Sequence, residues 1–340
     1  MTKNILYILA VIMGTNSVNA QNQDYLFMVE QAVKAPSGHN TQPWLFKINS
    51  NSIEVHPNFE KVLPVVDPYN RELFISLGCA VENLCLAASF KGYGTEVSIA
   101  GNGVITVGLN KNEQGRCDSL FEQIPVRQTN RSAYSGEGIA DSTVDVLKKV
   151  VPDGELNVYF YKNGTPEFDT ITAFVIKGNT TQMRDSAFTN ELKHWMRFNK
   201  KHQNRTNDGL SYAVFGAPNL PMFIVKPIMS GYLNAKTQNK GDVKKMKSSS
   251  HFALFTTQAN TVEQWIALGR VLERFLLKST ELSIAHAYLN QPNEVEELSV
   301  EYAESLNISN EYPTILLRIG YGKKQPYSKR KAIEEVIVRY

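Results

Sequence analysis

The sequence predicts an α+β protein built from two related halves. Two observations carry that expectation. First, Leu77-Gly78-Cys-Ala-Val-Glu82-Asn-Leu84-Cys-Leu86 matches Leu268-Gly269-Arg-Val-Leu-Glu273-Arg-Phe275-Leu-Leu277, with Gly, Glu and the apolar positions at equal offsets. Both copies carry apolar residues at helical spacing and few breakers, so each is expected to be a long, buried helix. A glycine inside such a helix costs about 1 kcal/mol unless a neighbour packs closely against it. Its appearance twice in one frame predicts two equivalent close helix crossings. Second, each repeat helix is flanked by short runs rich in Val, Ile, Tyr and Phe that read as strands.

Element by element, a helix is expected near 24–34, then a polar turn, then strands near 44–48 and 52–56. The first repeat helix follows, with strands near 95–108. The second half begins near Pro125. It has a helix near 142–150, a strand near 156–161 and helical segments within 166–203. The second repeat helix spans about 262–282 and leads to the strand Pro313–Gly320. Residues 233–250 are polar and Lys-rich without periodicity, so a mobile loop is expected there, with 205–250 as a candidate lid.

The first 20 residues stand apart. Lys3 precedes an apolar run from Ile5 to Met13, and small polar residues lead to Ala20 before Gln21. That is the pattern of a secretory signal peptide, so export to the periplasm is expected, with cytoplasmic residence as the alternative. The domain reading is therefore 1–20 signal, 21–124 first half and 125–340 second half.

A length of 340 residues, with 42% hydrophobic and 20% charged, suits an ordinary globular core. The net charge of +3 is too small to argue for nucleic acid. No segment after residue 20 reads as a membrane span. Cys79 and Cys85 fall on one helix about 9 Å apart along its axis, beyond bridging range, and Cys117 is alone. All three read as packing residues. The six histidines show no metal spacing, and no Gly-rich phosphate loop or Gly-x-Ser-x-Gly elbow is present.

Residues 35–44 read Ala-Pro-Ser-Gly-His-Asn-Thr-Gln-Pro-Trp. Pro36 fixes its own φ, Gly38 permits close backbone approach, and Ser37, Asn40 and Gln42 put three polar side chains on one turn. Trp44 anchors the turn in the core. Such a turn can hydrogen-bond the polar edge of a flat heterocycle; the plainer reading is a capped helix-to-strand turn. His39 lies inside it and reads as a polar turn residue that could face substrate. Arg127-Gln128-Thr129-Asn130-Arg131 places two guanidiniums four residues apart with a hydroxyl between them, a set suited to phosphate. A third basic element, Ser328-Lys329-Arg330-Lys331, follows the glycines at 320 and 322. Glu191, Trp195 and Arg197 fall on an amphipathic helix that could shape the substrate side; the plainer reading is structural packing.

The ten-residue turn resembles the Pro-Ser-x-x-Asn-x-Gln-Pro-Trp turn of the nitroreductase-like FMN flavoproteins. The 127–131 segment is similar to that family's Arg-x-Ser/Thr-x-Arg/Lys element, and Arg330 falls where the family has a C-terminal phosphate-binding Arg. The resemblance implies a nitroreductase-like fold and FMN as cofactor. It implies Pro36, Ser37, Gly38 and Asn40 beside the flavin, and Arg127, Thr129, Arg131 and Arg330 on its phosphate. The backbone near Asn290 and Gln291 is a candidate for contacting flavin N5 and O4. The first half carries only the turn and the second only the phosphate elements. That distribution resembles the Acg-type branch, a fused pseudo-dimer with one FMN between halves related by a pseudo-two-fold axis. The implied function is hydride transfer through flavin N5 from a small-molecule donor to nitroaromatic, quinone-like or similar acceptors. The alternative is a flavin-binding or flavin-sequestering protein with little turnover. No side chain is assigned a catalytic role.

Overall fold

The computed structural model describes residues 21–111, 117–152 and 154–338. The expected signal segment, 1–20, lies outside the described residues. Helix α1 covers 21–32, where Tyr25, Met28, Val29 and Ala32 recur at helical spacing and are buried. The turn follows and leads into β1 (Trp44–Ile48) and β2 (Ser52–Pro57). After α2 (Arg71–Phe90), β3 (Tyr93–Ile99) and β4 (Ile105–Lys111) complete an antiparallel sheet in the order β1-β2-β4-β3.

The remainder begins with α3 (Asp141–Lys148) and β5 (Leu156–Lys162), then α4 (Pro166–Arg184) and α5 (Ser186–Trp195). The two-residue β6 and β7, Met196–Arg197 and Leu210–Ser211, flank α6 (Lys200–Thr206). Next come α7 (Met222–Gly231), α8 (Ala235–Lys247) and β8 (His251–Thr257). The chain closes with α9 (Val262–Glu281), β9 (Ala285–Tyr288), α10 (Gln291–Glu294), α11 (Glu296–Ser305) and β10 (Tyr312–Gly320). A second antiparallel sheet has the order β5-β8-β10-β9.

The two repeat helices, α2 and α9, cross each other between the sheets. A Cβ on Gly78 would lie 2.2 Å from the Ile266 carbonyl oxygen, and one on Gly269 would lie 2.1 Å from that of Ile75. The two glycines therefore serve one crossing, where they face each other, rather than the two crossings expected. Matched positions meet elsewhere too: Phe74 and Trp265 stack at 6.3 Å. Symmetry is broken at the glutamates. Glu82 pairs with Arg270 at 2.9 Å and Arg274 at 2.8 Å, whereas Glu273 pairs with Arg127. By length and composition α2 could cross a membrane, but it is a core helix, buried along most of its length.

One hydrophobic core runs through both sheets, from Trp44 and Phe46 to Ile315 and Leu317. The C-terminal tail reinforces it. Phe46 donates its N–H to the Val336 carbonyl at 2.7 Å, and Val338 donates to Phe46 O at 2.8 Å, so the tail adds to the β1 edge. That excursion carries Arg330 back to the turn at 35–42.

Three expectations need correction. Residues 235–247 form α8, not a loop: Asn234 caps it by accepting from the Thr237 N–H, and Met246 is fully buried. Its buried face is too narrow to produce a periodic signal. β8 and β9 have no counterpart in the sequence reading; all seven residues of β8 are buried, so no alternation marks it. Cys117 is exposed and so lies outside the core, while Cys79 and Cys85 are buried free thiols on α2.

Candidate functional site

Two cavities meet between the turn and the second sheet. The larger is about 790 Å³ and is lined by Pro36, Ser37, Gly38 and His39 from the turn, Glu72 and Cys79 from α2, and Asn290, Gln291 and Glu294 around α10. The smaller is about 240 Å³ and is lined by Ser37, Asn40, Arg127, Thr129, Arg131 and Arg330. Pro36, Ser37, Arg131, Leu210 and Tyr288 belong to both walls. Every site residue expected from the sequence thus lies on this joined surface, with contributions from chain segments up to 294 residues apart.

The turn is strained. His39, Asn40 and Gln42 have φ of 47°, 57° and 55°. Left-handed backbone costs a non-glycine residue on the order of 1 kcal/mol, and such strain concentrates at functional sites. Hydrogen bonds hold it: the Gln42 N–H donates to Ser37 Oγ at 3.0 Å, and Gln42 Nε2 donates to the Asn207 carbonyl at 2.9 Å. Gln42 Oε1 accepts from the Lys331 N–H at 2.8 Å. A Cβ on Gly38 would come within 3.0 Å of Glu72 Oε2 and Leu63 Cδ1.

Asn40 departs from expectation. Its Nδ2 donates to Gly209 O at 3.0 Å and Lys329 O at 3.2 Å, and its Oδ1 accepts from Arg330 Nη1 at 2.8 Å. The amide is spent on the protein, so Asn40 positions Arg330 instead of offering itself to a ring edge.

The 127–131 segment is extended beside β9. Thr129 bridges His286, and the Asn130 N–H donates to His286 O at 2.8 Å. Arg318 Nη2 donates to the carbonyls of Asn130 and Ser132 at 3.0 and 2.8 Å, clamping the segment from β10. Arg127, Thr129 and Arg131 line the cavity, joined by Gln128, whose amide donates to Gln325 O at 3.0 Å, while Asn130 donates to Lys323 O at 2.8 Å.

The three arginines differ in their partners. Arg127 is 5% exposed, donates from Nη2 to Lys34 O at 2.9 Å, and lies 3.3 Å by Nε from the Glu273 carboxylate, which is wholly buried. Burial raises the pKa of Glu273 and Arg127 opposes that rise. Arg330 donates to Asn40 and to the carbonyls of Lys34 and Ala35; burial, aided by Arg127, pushes its pKa down to about 9. Arg131 has no hydrogen-bond or ion-pair partner among the described residues, and burial pushes its pKa down. Arg127 Nη1 and Arg330 Nε are buried without a hydrogen bond. Three cations against one carboxylate, with donors left over, make an anion site of about two charges.

The larger cavity is chemically different. Burial and then Arg131 lower the His39 pKa to about 4, so the ring is neutral near pH 7. Glu72 and Glu294 share a hydrogen bond, and burial with the Glu72 charge holds Glu294 well above the carboxylate range. Gln182 Nε2 donates to Glu294 Oε2 at 2.6 Å, and Asn290 Nδ2 to Glu72 Oε1 at 2.9 Å. The Cys79 thiol donates to Gly269 O at 3.1 Å, and burial raises its pKa well above normal, so it has no thiolate character. Asn290 and Gln291 open α10, whose first N–H groups have no intrahelical acceptor. Segment 205–250 contributes Leu210, Phe215, Ile228 and Tyr232 to the wall.

Glu191, Trp195 and Arg197 are structural. Glu191 accepts from the N–H groups of Val65 and Val66 at 3.0 Å each, Trp195 packs on Leu63 and Val66, and Arg197 pairs with Asp208 at 2.6 Å. Tyr288, Glu72 and Glu294 escaped the sequence reading because each is brought to the cavity by a distant element and lies in no local motif.

No protein-family model matches the chain. Two curated proteins from Mycobacterium tuberculosis strains, both provisionally named NAD(P)H nitroreductase, are 23% identical to it over 320 residues, covering 90% of this chain and 88% of theirs. Among solved structures, the FMN-dependent nitroreductase NfnB of Mycobacterium smegmatis, in complex with NADPH, aligns with a TM-score of 0.41 and 13% identity, over 64% of this chain and 96% of that one. An FMN-bound nitroreductase of Bacteroides fragilis aligns with a TM-score of 0.37 and 15% identity, over 63% of this chain and 94% of that one. Over nine-tenths of its length the chain is thus similar to two proteins that carry a nitroreductase name.

Proposed function

We propose that the chain is an FMN-dependent oxidoreductase of the nitroreductase type that holds one FMN across the two joined cavities. The observation that carries this reading is the anion site at the end of a much larger, partly apolar cavity. A phosphate monoester brings nearly two negative charges and three acceptor oxygens, which suits Arg131, Arg127, Arg330 and Thr129 with their unfilled donors. The ring would occupy the larger cavity against Pro36, Ser37 and Gly38, with the backbone at Asn290 and Gln291 toward its polar edge. The volume lies in the range of sites that hold cofactors and substrates together. The curated relatives are named as NAD(P)H nitroreductases, and a nicotinamide donor is our proposal for this chain.

When bound, FMN supplies hydride chemistry at N5 toward nitroaromatic, quinone-like or similar acceptors. The protein's residues would do the rest. The strained turn fixes the ring, and the arginines fix the phosphate. Burial and the neighbouring Glu72 push the Glu294 carboxyl well above the usual carboxylate range, so this wall residue is our candidate to hold a proton for a reduced acceptor.

The fused pseudo-dimer of the Acg-type branch is also our proposal. The facing glycines of α2 and α9 support it, as does the division of the turn and the phosphate elements between 21–124 and 125–340. Export with cleavage before Gln21 is a further proposal; mass spectrometry of the protein from its native host should find Gln21 at the N-terminus, and an intact Met1 removes it. The reading as a whole is tested by the absorbance of purified protein. Flavin bands that bleach anaerobically with NADPH and recover with a quinone support a reductase. Bands that no donor bleaches support flavin storage, and a colourless protein that takes up no FMN contradicts both.

A further inference from the structure

α7 turns an apolar side to the solvent. Val225 and Met229 are buried against Met196 and Phe198. At 100° per residue, Phe223, Ile224 and Pro227 turn away from that side, to where a soluble helix carries charge, and Ile228 falls on the flank. Phe223 is 79% exposed, and Ile224, Ile228 and neighbouring Leu220 are exposed as well. Phe215 and Tyr232, on either side of the helix, extend the patch.

The charges around this patch have one sign. Between residues 198 and 248 the acids are Asp208 and Asp242, both buried and paired, with Arg197 at 2.6 Å and Lys245 at 3.0 Å. Lys200, Lys201, Arg205, Lys226, Lys236 and Lys240 are exposed. Lys200 abuts the apolar run, because its N–H donates to Asn219 Oδ1 at 3.0 Å while Asn199 Nδ2 donates to Leu220 O at 3.2 Å. Lys226 sits on α7 itself, and Lys236 is one turn beyond its end.

An exposed apolar helix face ringed by cations matches the chemistry of an anionic bilayer surface. The helix spans ten residues, too few to cross the hydrocarbon core, so it would lie in the interface. A second copy of the chain fits less well, since the two cationic rings would be brought together. We propose that α7 and the loop before it dock on an anionic lipid surface, with Phe223 and Ile224 entering the acyl boundary and the lysines meeting the headgroups. Phe215, Ile228 and Tyr232 also line the larger cavity, so docking would set that wall against lipid and give an apolar acceptor a route from the membrane. This inference goes beyond the proposed cofactor chemistry and does not depend on it.

The test is co-sedimentation of the purified chain with phosphatidylcholine vesicles made with and without phosphatidylglycerol. Binding to the anionic vesicles, falling with added salt, is expected. The Phe223→Ser/Ile224→Ser double variant should lower partitioning about tenfold or more. Lys200→Gln and Lys226→Gln should each lower it about fivefold. None of these residues lines either cavity, and an unchanged circular dichroism spectrum and melting temperature should certify that the variants fold. No binding to anionic vesicles at low salt overturns the proposal. So does a solution dimer that the double variant dissolves, which would make the patch an interface between copies.

Discussion

Arg131→Ala separates a ligand-binding residue from a scaffold residue. Arg131 makes no hydrogen bond or ion pair among the described residues, and its charge is disfavoured by burial. Its removal therefore breaks nothing in the empty fold, and the unliganded protein should melt at or above the parent temperature. FMN binding should respond in the opposite sense. A hydrogen bond to a charged group is worth about 1.5–3 kcal/mol, so affinity should fall by roughly 10- to 150-fold. Riboflavin has no phosphate and should bind parent and variant alike. The assay pairs thermal melts of the unliganded forms with flavin fluorescence titrations for FMN and riboflavin. Equal losses for both flavins would place Arg131 on the ring instead of the phosphate. A substantial drop in unliganded stability would show that Arg131 has a structural partner, and the reasoning would fail.

Three other perturbations follow from the same contacts. Arg127→Ala strands the buried Glu273 carboxylate and should cost about 3–5 kcal/mol of stability by urea denaturation, far more than Arg131→Ala; equal costs would contradict the pairing. Gly269→Ala forces a methyl toward the Ile75 carbonyl and should cost about 1–3 kcal/mol, whereas the same change at Gly241, in open space within α8, should cost nothing and gain up to about 1 kcal/mol. His286 is buried and its pKa is lowered to about 3 by burial and Arg127, so it stays neutral in the fold while the unfolded chain takes up its proton near pH 6.5. The stability of the parent relative to His286→Leu should then fall by about 1.4 kcal/mol per pH unit as pH drops from 6.5 toward 3. Asp67 works in the other direction, its pKa raised to about 6 by burial and Glu72, so only the difference between parent and variant isolates the histidine. A flat difference between pH 7 and 4.5 refutes the shift.

What the sequence made legible was local. The turn at 35–44 and the 127–131 segment each carry their chemistry within ten residues, and both reach the joined cavity. Arg127, Thr129 and Arg131 all line the smaller cavity. Their inequality is not local, because Glu273 comes to Arg127 from a helix 146 residues away. Asn40 reads as a ligand for the same reason: the guanidinium that occupies it belongs to Arg330, delivered by a tail that crosses to β1. The repeat glycines were visible, but not that they pack on each other, since periodicity marks a buried face and not its partner. α8 was hidden by a surface of lysine and glutamine, and β8 by burial on both faces.

The most direct test of a single composite site is flavin stoichiometry, measured by FMN titration with the mass in solution determined on the same sample. Because the turn and the phosphate donors each occur once per chain, one FMN per monomer is predicted, and the Arg131→Ala/Arg330→Ala double variant should bind none at the same concentrations. Two FMN per chain, one FMN per pair of chains, or full binding by the double variant would contradict it.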